Sequence, residues 1–190
     1  MAALQARDLQ ASFEVIHEDN QINEKRFELE EQCIDLIATQ QPLATDLRML
    51  LTVLHIAVEL ERIGDYAEGI GKVSLMLGED PVAGTPVELQ EMADRGLDML
   101  GRSLVALVEQ DKDSASQVWQ DDDAVNVLYY EACRKLLLGM LQTPATIERG
   151  THLFWGAHDL ERIADRATNI AERVIFRVTG KRMLPQSPLG

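Results

Sequence analysis

The sequence predicts an all-α protein, and three observations carry that prediction. Six prolines, Pro42, Pro81, Pro86, Pro144, Pro185 and Pro188, divide the 190 residues into long intervals with apolar residues at helical spacing and no interior proline. No run rich in Val, Ile, Thr or aromatics alternates with period two, so no strand is expected. The chain also repeats itself at a spacing of about 100 residues, as two homologous helical units do.

From Asp8 to Gln40 a helix carries Phe13, Ile16, Phe27, Ile34 and Ile37 on one seam, with Val15, Ile22, Leu29 and Leu36 beside it. A stripe this broad is what a helix buries against a core. Pro42 is expected at the first position of the next helix, where its missing N–H costs nothing. That helix places Met49, Val53, Ile56, Leu60, Ile63, Ala67 and Ile70 at alternating spacings of four and three, the seam of a packed bundle. It ends near Leu77 and Gly78, where glycine suits a C-terminal cap. Glu79 to Gly84 reads as a short linker. Thr85-Pro86-Val87-Glu88 matches a capping box and opens a helix from about Pro86 to Gln110. A break at Asp111-Lys112-Asp113 precedes a helix to about Leu141, and a last helix runs from Pro144 to near Val178. The tail from Gly180 to Gly190 is expected to fray.

The repeat is specific. Glu59-Leu60-Glu61-Arg62-Ile63-Gly64-Asp65 returns as Asp159-Leu160-Glu161-Arg162-Ile163-Ala164-Asp165, with five of seven positions identical. Asp19 and Asn23 return as Asp122 and Asn126, and Ala3-Leu4 with Asp8 returns as Ala106-Leu107 with Asp111. Two units follow, residues 1–80 and 85–180. The second has a full helix before Asp111, whereas the first has only Met1 to Arg7 before Asp8.

Composition narrows the function. Eighteen Lys plus Arg against 32 Asp plus Glu give a net charge of −14, which removes the electrostatic drive for nucleic-acid binding. A hydrophobic content of 46% provides a core. No apolar stretch is long enough to span a bilayer, and no basic segment followed by an apolar one opens the chain, so a cytoplasmic protein without membrane insertion is expected. Two cysteines, Cys33 and Cys133, read as reduced core residues. Trp119 and Trp155 read as core or interface fillers. No phosphate-cradling glycine loop, Gly-x-Ser-x-Gly elbow or nucleophile with an attached base is present.

Residues four apart share a helix face, so Glu61 projects with Asp65, and Glu161 with Asp165. Glu68 extends the first row. These carboxylates continue faces that are apolar further back, at Leu47, Leu51, Leu54 and Val58 in one unit and at Phe154 in the other. Asp19 with Asn23 interrupts the seam between Ile16 and Phe27, and Asp122 with Asn126 does the same in the second unit. Carboxylates gathered in a partly desolvated groove need neutralising. Hard oxygen donors suit magnesium, manganese, calcium, iron or zinc. The other reading is an ion-pair network with Arg62 and Arg162. Each arginine is three residues from an acid on either side, so local pairing is feasible; being adjacent to Glu61, Arg62 points about 100° away around the helix, as 3.6 residues per turn dictates, and does not neutralise the whole row. Both readings stay open on spacing alone. His158 lies three residues before Glu161, where a hydrogen-bonded structural role outweighs ligation; Val58 holds the matching place.

Asp19-Asn20-Gln21-Ile22-Asn23, then Gln41-Pro42-Leu43-Ala44-Thr45-Asp46-Leu47-Arg48, and the duplicated Glu-Arg-Ile-x-Asp element together resemble the PhoU family of phosphate-signalling proteins. The resemblance spans nearly the whole chain. It implies two tandem three-helix bundles, the first lacking most of its N-terminal helix. It also implies metal clusters with Glu61, Asp65, Glu161 and Asp165 as ligands, joined by Asp19, Asn23, Asp122 and Asn126 from adjoining helices, with Glu59 and Asp159 behind them. The cofactors implied are divalent or trivalent ions such as iron, zinc, magnesium or manganese. Pro144-Ala-Thr-Ile-Glu148-Arg149 departs from the pattern around Pro42, so no role of Asp46 to Arg48 carries over. By resemblance the chain is a non-catalytic, homodimeric adaptor that acts with the ATPase subunit of the phosphate ABC transporter and the phosphate sensor histidine kinase as a negative regulator. The alternative is a di-metal carboxylate enzyme in a helical bundle.

Overall fold

The computed structural model describes residues 1–78 and 85–181. Among these it contains α1 (Ala2–Ala6), α2 (Leu9–Gln40), α3 (Ala44–Leu77), α4 (Glu88–Glu109), α5 (Lys112–Gln142) and α6 (Ile147–Thr179), with a 3-10 turn at Pro144–Thr146 and no strand. The all-α prediction holds. The predicted linker at 79–84 and the tail beyond 181 lie outside the described residues.

The two units reuse the same local devices. α1 ends at Arg7 and α4 at Gln110, both in the left-handed conformation, φ 60° and φ 57°. The next residue in each case is an aspartate that caps the following helix. Asp8 accepts from Ala11 N at 2.9 Å, and Asp111 accepts from Asp113 N at 2.9 Å and Ser114 N at 3.1 Å. Gly78 and Gly180 close α3 and α6 with φ 63° and φ 70°, a backbone conformation that glycine adopts most readily.

α6 is the central helix, packing on α3, α4 and α5. Its alanines make this possible. Ala157, Ala164, Ala167 and Ala171 have no exposed surface, and their small side chains let three neighbours approach. Met92, Met99, Val118, Val125 and Val174 fill the space between, each contributing about 1.5–3 kcal/mol by burial. α3 crosses α6 antiparallel. Gly69 meets Asp159, and Gly156 meets Val73.

Three expectations are corrected. Pro42 precedes α3 by two residues; the reversal needs Gln41 left-handed (φ 47°) and Leu43 extended, so the helix starts at Ala44. Thr85 caps nothing: its hydroxyl is buried without a partner, and α4 starts at Glu88, whose side chain pairs with Lys135 of α5 instead of reaching back. The seam on α2 is largely uncovered, with Phe13, Phe27 and Ile34 exposed, because α1 has five residues where α4 has 22. Trp155 is half-exposed against His152, while Trp119 packs inward and donates to Glu172 at 3.2 Å.

Candidate functional site

Each unit gathers its acidic residues where two long helices meet. In the second unit Asp122 and Asn126 come from α5, and Glu161 and Asp165 from consecutive turns of α6. Asn126 donates to Asp122 Oδ2 at 3.0 Å, and Thr168 donates to its Oδ1 at 3.2 Å. Burial, followed by the charges of Asp123 and Glu161, raises the Asp122 carboxyl above its ordinary range, although both hydrogen bonds oppose this. Asp165 is likewise raised, by burial first and then by Glu161. Glu161 is only 8% exposed.

Arg162 answers that negative charge. It grips both carboxylate oxygens of Glu161 and stands 2.8 Å from Asp165 Oδ2. The local pairing expected of this arginine is made with Asp165, and its side chain is also long enough to fold back onto the neighbouring Glu161, drawn there by a buried carboxylate. Arg166 adds a contact to Asp165 at 3.8 Å.

In the first unit α2 supplies Asp19 and Asn23, and α3 supplies Asp65 and Glu68. Asn23 donates to Asp19 Oδ2 at 2.9 Å, while Asp19 Oδ1 is buried without a hydrogen-bond partner. Burial, then the charges of Asp65 and Glu68, raise the Asp19 carboxyl; Lys72, paired with Glu68 at 2.5 Å, opposes them. Glu61 faces Arg26 of α2 at 3.9 Å. Arg62 is exposed. Asp19 lies close enough to Asp65 and Glu68, and Asp122 and Asp165 to Glu161, for their charges to act on one another, and Asn23 and Asn126 hydrogen-bond to Asp19 and Asp122.

Glu59 and Asp159 lie elsewhere, in the contact between α3 and α6. Glu59 accepts from Arg166 and Asn169, each at 3.2 Å, and Asp159 abuts Gly69. His158 is exposed. Sequence reasoning missed Arg26, Thr168 and Tyr129. Helical spacing held the signal, since Arg26 and Tyr129 each lie three residues beyond Asn23 and Asn126, and Thr168 three beyond Asp165. The donor set is all hard oxygen, which fits a hard cation, and the orphaned Asp19 oxygen marks charge left uncompensated. Among the described residues, however, no three His, Cys, Asp or Glu side chains converge as a ready cage.

The sequence matches the PhoU domain family over residues 1–73 and 89–174. The chain belongs to the PhoU family. It is 38% identical over 189 residues to the phosphate-specific transport system accessory protein PhoU homolog of Caulobacter vibrioides, an alignment covering 99% of this chain and 82% of the relative. It is 36% identical to the Pseudomonas aeruginosa homolog over 85% of this chain and 67% of that one. The crystal structure of PhoU from Pseudomonas aeruginosa superposes with a TM-score of 0.90 at 34% identity, covering 94% of this chain and 86% of that one. The Streptococcus pneumoniae phosphate transport system regulatory protein PhoU gives 0.88 at 30% identity, covering 96% and 86%. These PhoU names describe accessory and regulatory proteins of phosphate transport. A regulatory role in phosphate transport follows for this chain, and the alternative of a di-metal enzyme is set aside. Among the described residues no helix is long and apolar enough to cross a membrane.

Proposed function

We propose that this chain is a cation-binding adaptor that docks on the ATPase subunit of the phosphate ABC transporter and on the phosphate sensor histidine kinase, repressing uptake and starvation signalling when phosphate is plentiful. The observation that carries the cation reading is the repeated acidic cluster, built in both units from one Asp/Asn pair and one helical row of carboxylates. A hard cation there, whether iron, zinc, magnesium or manganese, would supply the positive charge that the Asp19 oxygen lacks. Asp19 and Asn23 on α2 and Glu61 and Asp65 on α3 would hold it in the first unit. Asp122 and Asn126 on α5 with Glu161 and Asp165 on α6 form the equivalent set.

Because each set draws on two helices, its occupancy bears on how those helices lie against each other, and so on the outer surface offered to a partner. A homodimer is part of the same reading. Two measurements test it. Metal content of the gently purified chain is expected to fall when Asp19 and Asp65 are both replaced by Asn; unchanged content rejects those ligands. Immobilised chain is expected to retain the transporter ATPase and the kinase, and failure to retain either at any phosphate concentration rejects the adaptor role.

A further inference from the structure

The two clusters occupy equivalent places in the repeat, but their countercharges come from different helices. In the first unit the nearest cation to Glu61 is Arg26, reaching across from α2 at 3.9 Å and also held by Glu30 at 3.3 Å. The α5 residue in that place is Tyr129, which is half-buried and has no charge to offer Glu161. Charge comes instead from α6 itself: Arg162 grips Glu161 and lies 2.8 Å from Asp165, spanning the two carboxylates of the row. Arg62 holds the corresponding position in α3, yet it is exposed and forms no ion pair among the described residues. Among the described residues Asp65 has no arginine partner, and Asp19 keeps a buried oxygen without a hydrogen-bond partner.

We infer that Arg162 is a built-in competitor for the second cluster, so that the first cluster fills at lower cation concentration and the second fills only as Arg162 is displaced. This rests on the cation-binding reading above. The competitor is always present, because a guanidinium stays charged across the physiological range. It is also specific, because the forked grip on Glu161 uses the same oxygens a cation would need. Removing the arginine leaves Glu161 buried at 8% exposure with its charge unmet, a strong drive for cation entry. The consequence is staged loading: the α2–α3 pair responds first, and the α5–α6 pair later.

The test is titration of the full chain with Mn²⁺, following free Mn²⁺ by electron paramagnetic resonance. The wild type is expected to show a tighter and a weaker class, and Asp65→Asn to remove the tighter one. Arg162→Gln is expected to tighten the remaining class at least about tenfold, the effect of releasing one partly buried ion pair. Arg162→Lys, which keeps the charge but loses the fork, is expected to tighten it less. Equal classes in the wild type overturn the inference, as does a weaker class unmoved by both substitutions; either leaves the cation reading intact. No Mn²⁺ bound by any variant overturns both.

Discussion

At Asp122 burial and hydrogen bonding act in opposite directions, and burial prevails. The carboxyl is raised above its ordinary value of 3.8 despite the contacts from Thr168 and Asn126. Between pH 3.8 and the raised value the native state therefore holds a proton that the unfolded chain has released. Stability contributed by this group is gained as pH falls through the raised value and lost as pH rises above it. Ionised Asp122 is thus a small liability at neutral pH. Asp122→Asn is expected to melt slightly higher than the wild type at pH 7 in metal-free buffer. The gap is expected to close towards pH 4; thermal melts of the two proteins across that range check it, and a gap that widens in acid contradicts the assignment. Glu88 has the opposite sign. Its hydrogen bond with Lys135 lowers its carboxyl below 4.5, so its contribution is full at neutral pH and is lost as pH falls through the lowered value. Lys135→Ala leaves Glu88 buried and unpaired, with an expected loss of about 1–3 kcal/mol in urea unfolding.

Among the elements, the pairing of α2 with α3 depends on close approaches at glycines of α3, Gly64 against Asp19 and Ile22 and Gly71 nearer its end. A Cβ on Gly71 would lie 3.1 Å from the Ser12 carbonyl oxygen and 3.1 Å from Ile16. The second unit has Ala171 in this place. Gly71→Val is expected to push the two helices apart and cost about 1–3 kcal/mol by overpacking, read as a fall in denaturation midpoint; a midpoint at or above the wild-type value would contradict the close packing. Much of the element plan was legible because local chemistry dictates it. Asp8 and Asp111 cap where aspartates should, Gly78 and Gly180 stop helices, and the Glu-Arg-Ile-x-Asp repeat located both acidic rows. What was not legible depends on distant partners. The start of α4 gives up its capping box because Glu88 is drawn to Lys135, 47 residues away. The pairing of Arg162 with Asp165 was legible from spacing, but its grip on the adjacent Glu161 was not, because Cα spacing fixes where a side chain begins, not where a long flexible one ends.

Over the whole molecule, the repeat is unequal in one respect that has a consequence for assembly. In the second unit α4 lies over α5, and Val125 and Ala132 are 1% and 0% exposed. Their counterparts on α2, Ile22 and Leu29, are each 38% exposed. They line an open groove of about 340 Å³ with Ala57 and Leu60 of α3. Toward α1 a second apolar groove of about 470 Å³ includes Val15, Ile63, Ala67 and Leu97. An uncovered apolar strip along two helices is the kind of surface that associates in water. The proposed homodimer accounts for it if each copy covers the strip of the other. Sedimentation velocity is then expected to show a mass near twice 21.3 kDa at micromolar concentration. Ile22→Glu with Leu29→Glu, both on the exposed flank of α2, is expected to shift the chain to monomer while leaving its helical circular dichroism unchanged, since neither side chain is buried. A wild type that sediments as a monomer at every concentration contradicts the dimer. A dimer that survives the double substitution moves the interface off this strip, to the outer flank of α2 where Phe27 and Ile34 are 55% and 56% exposed.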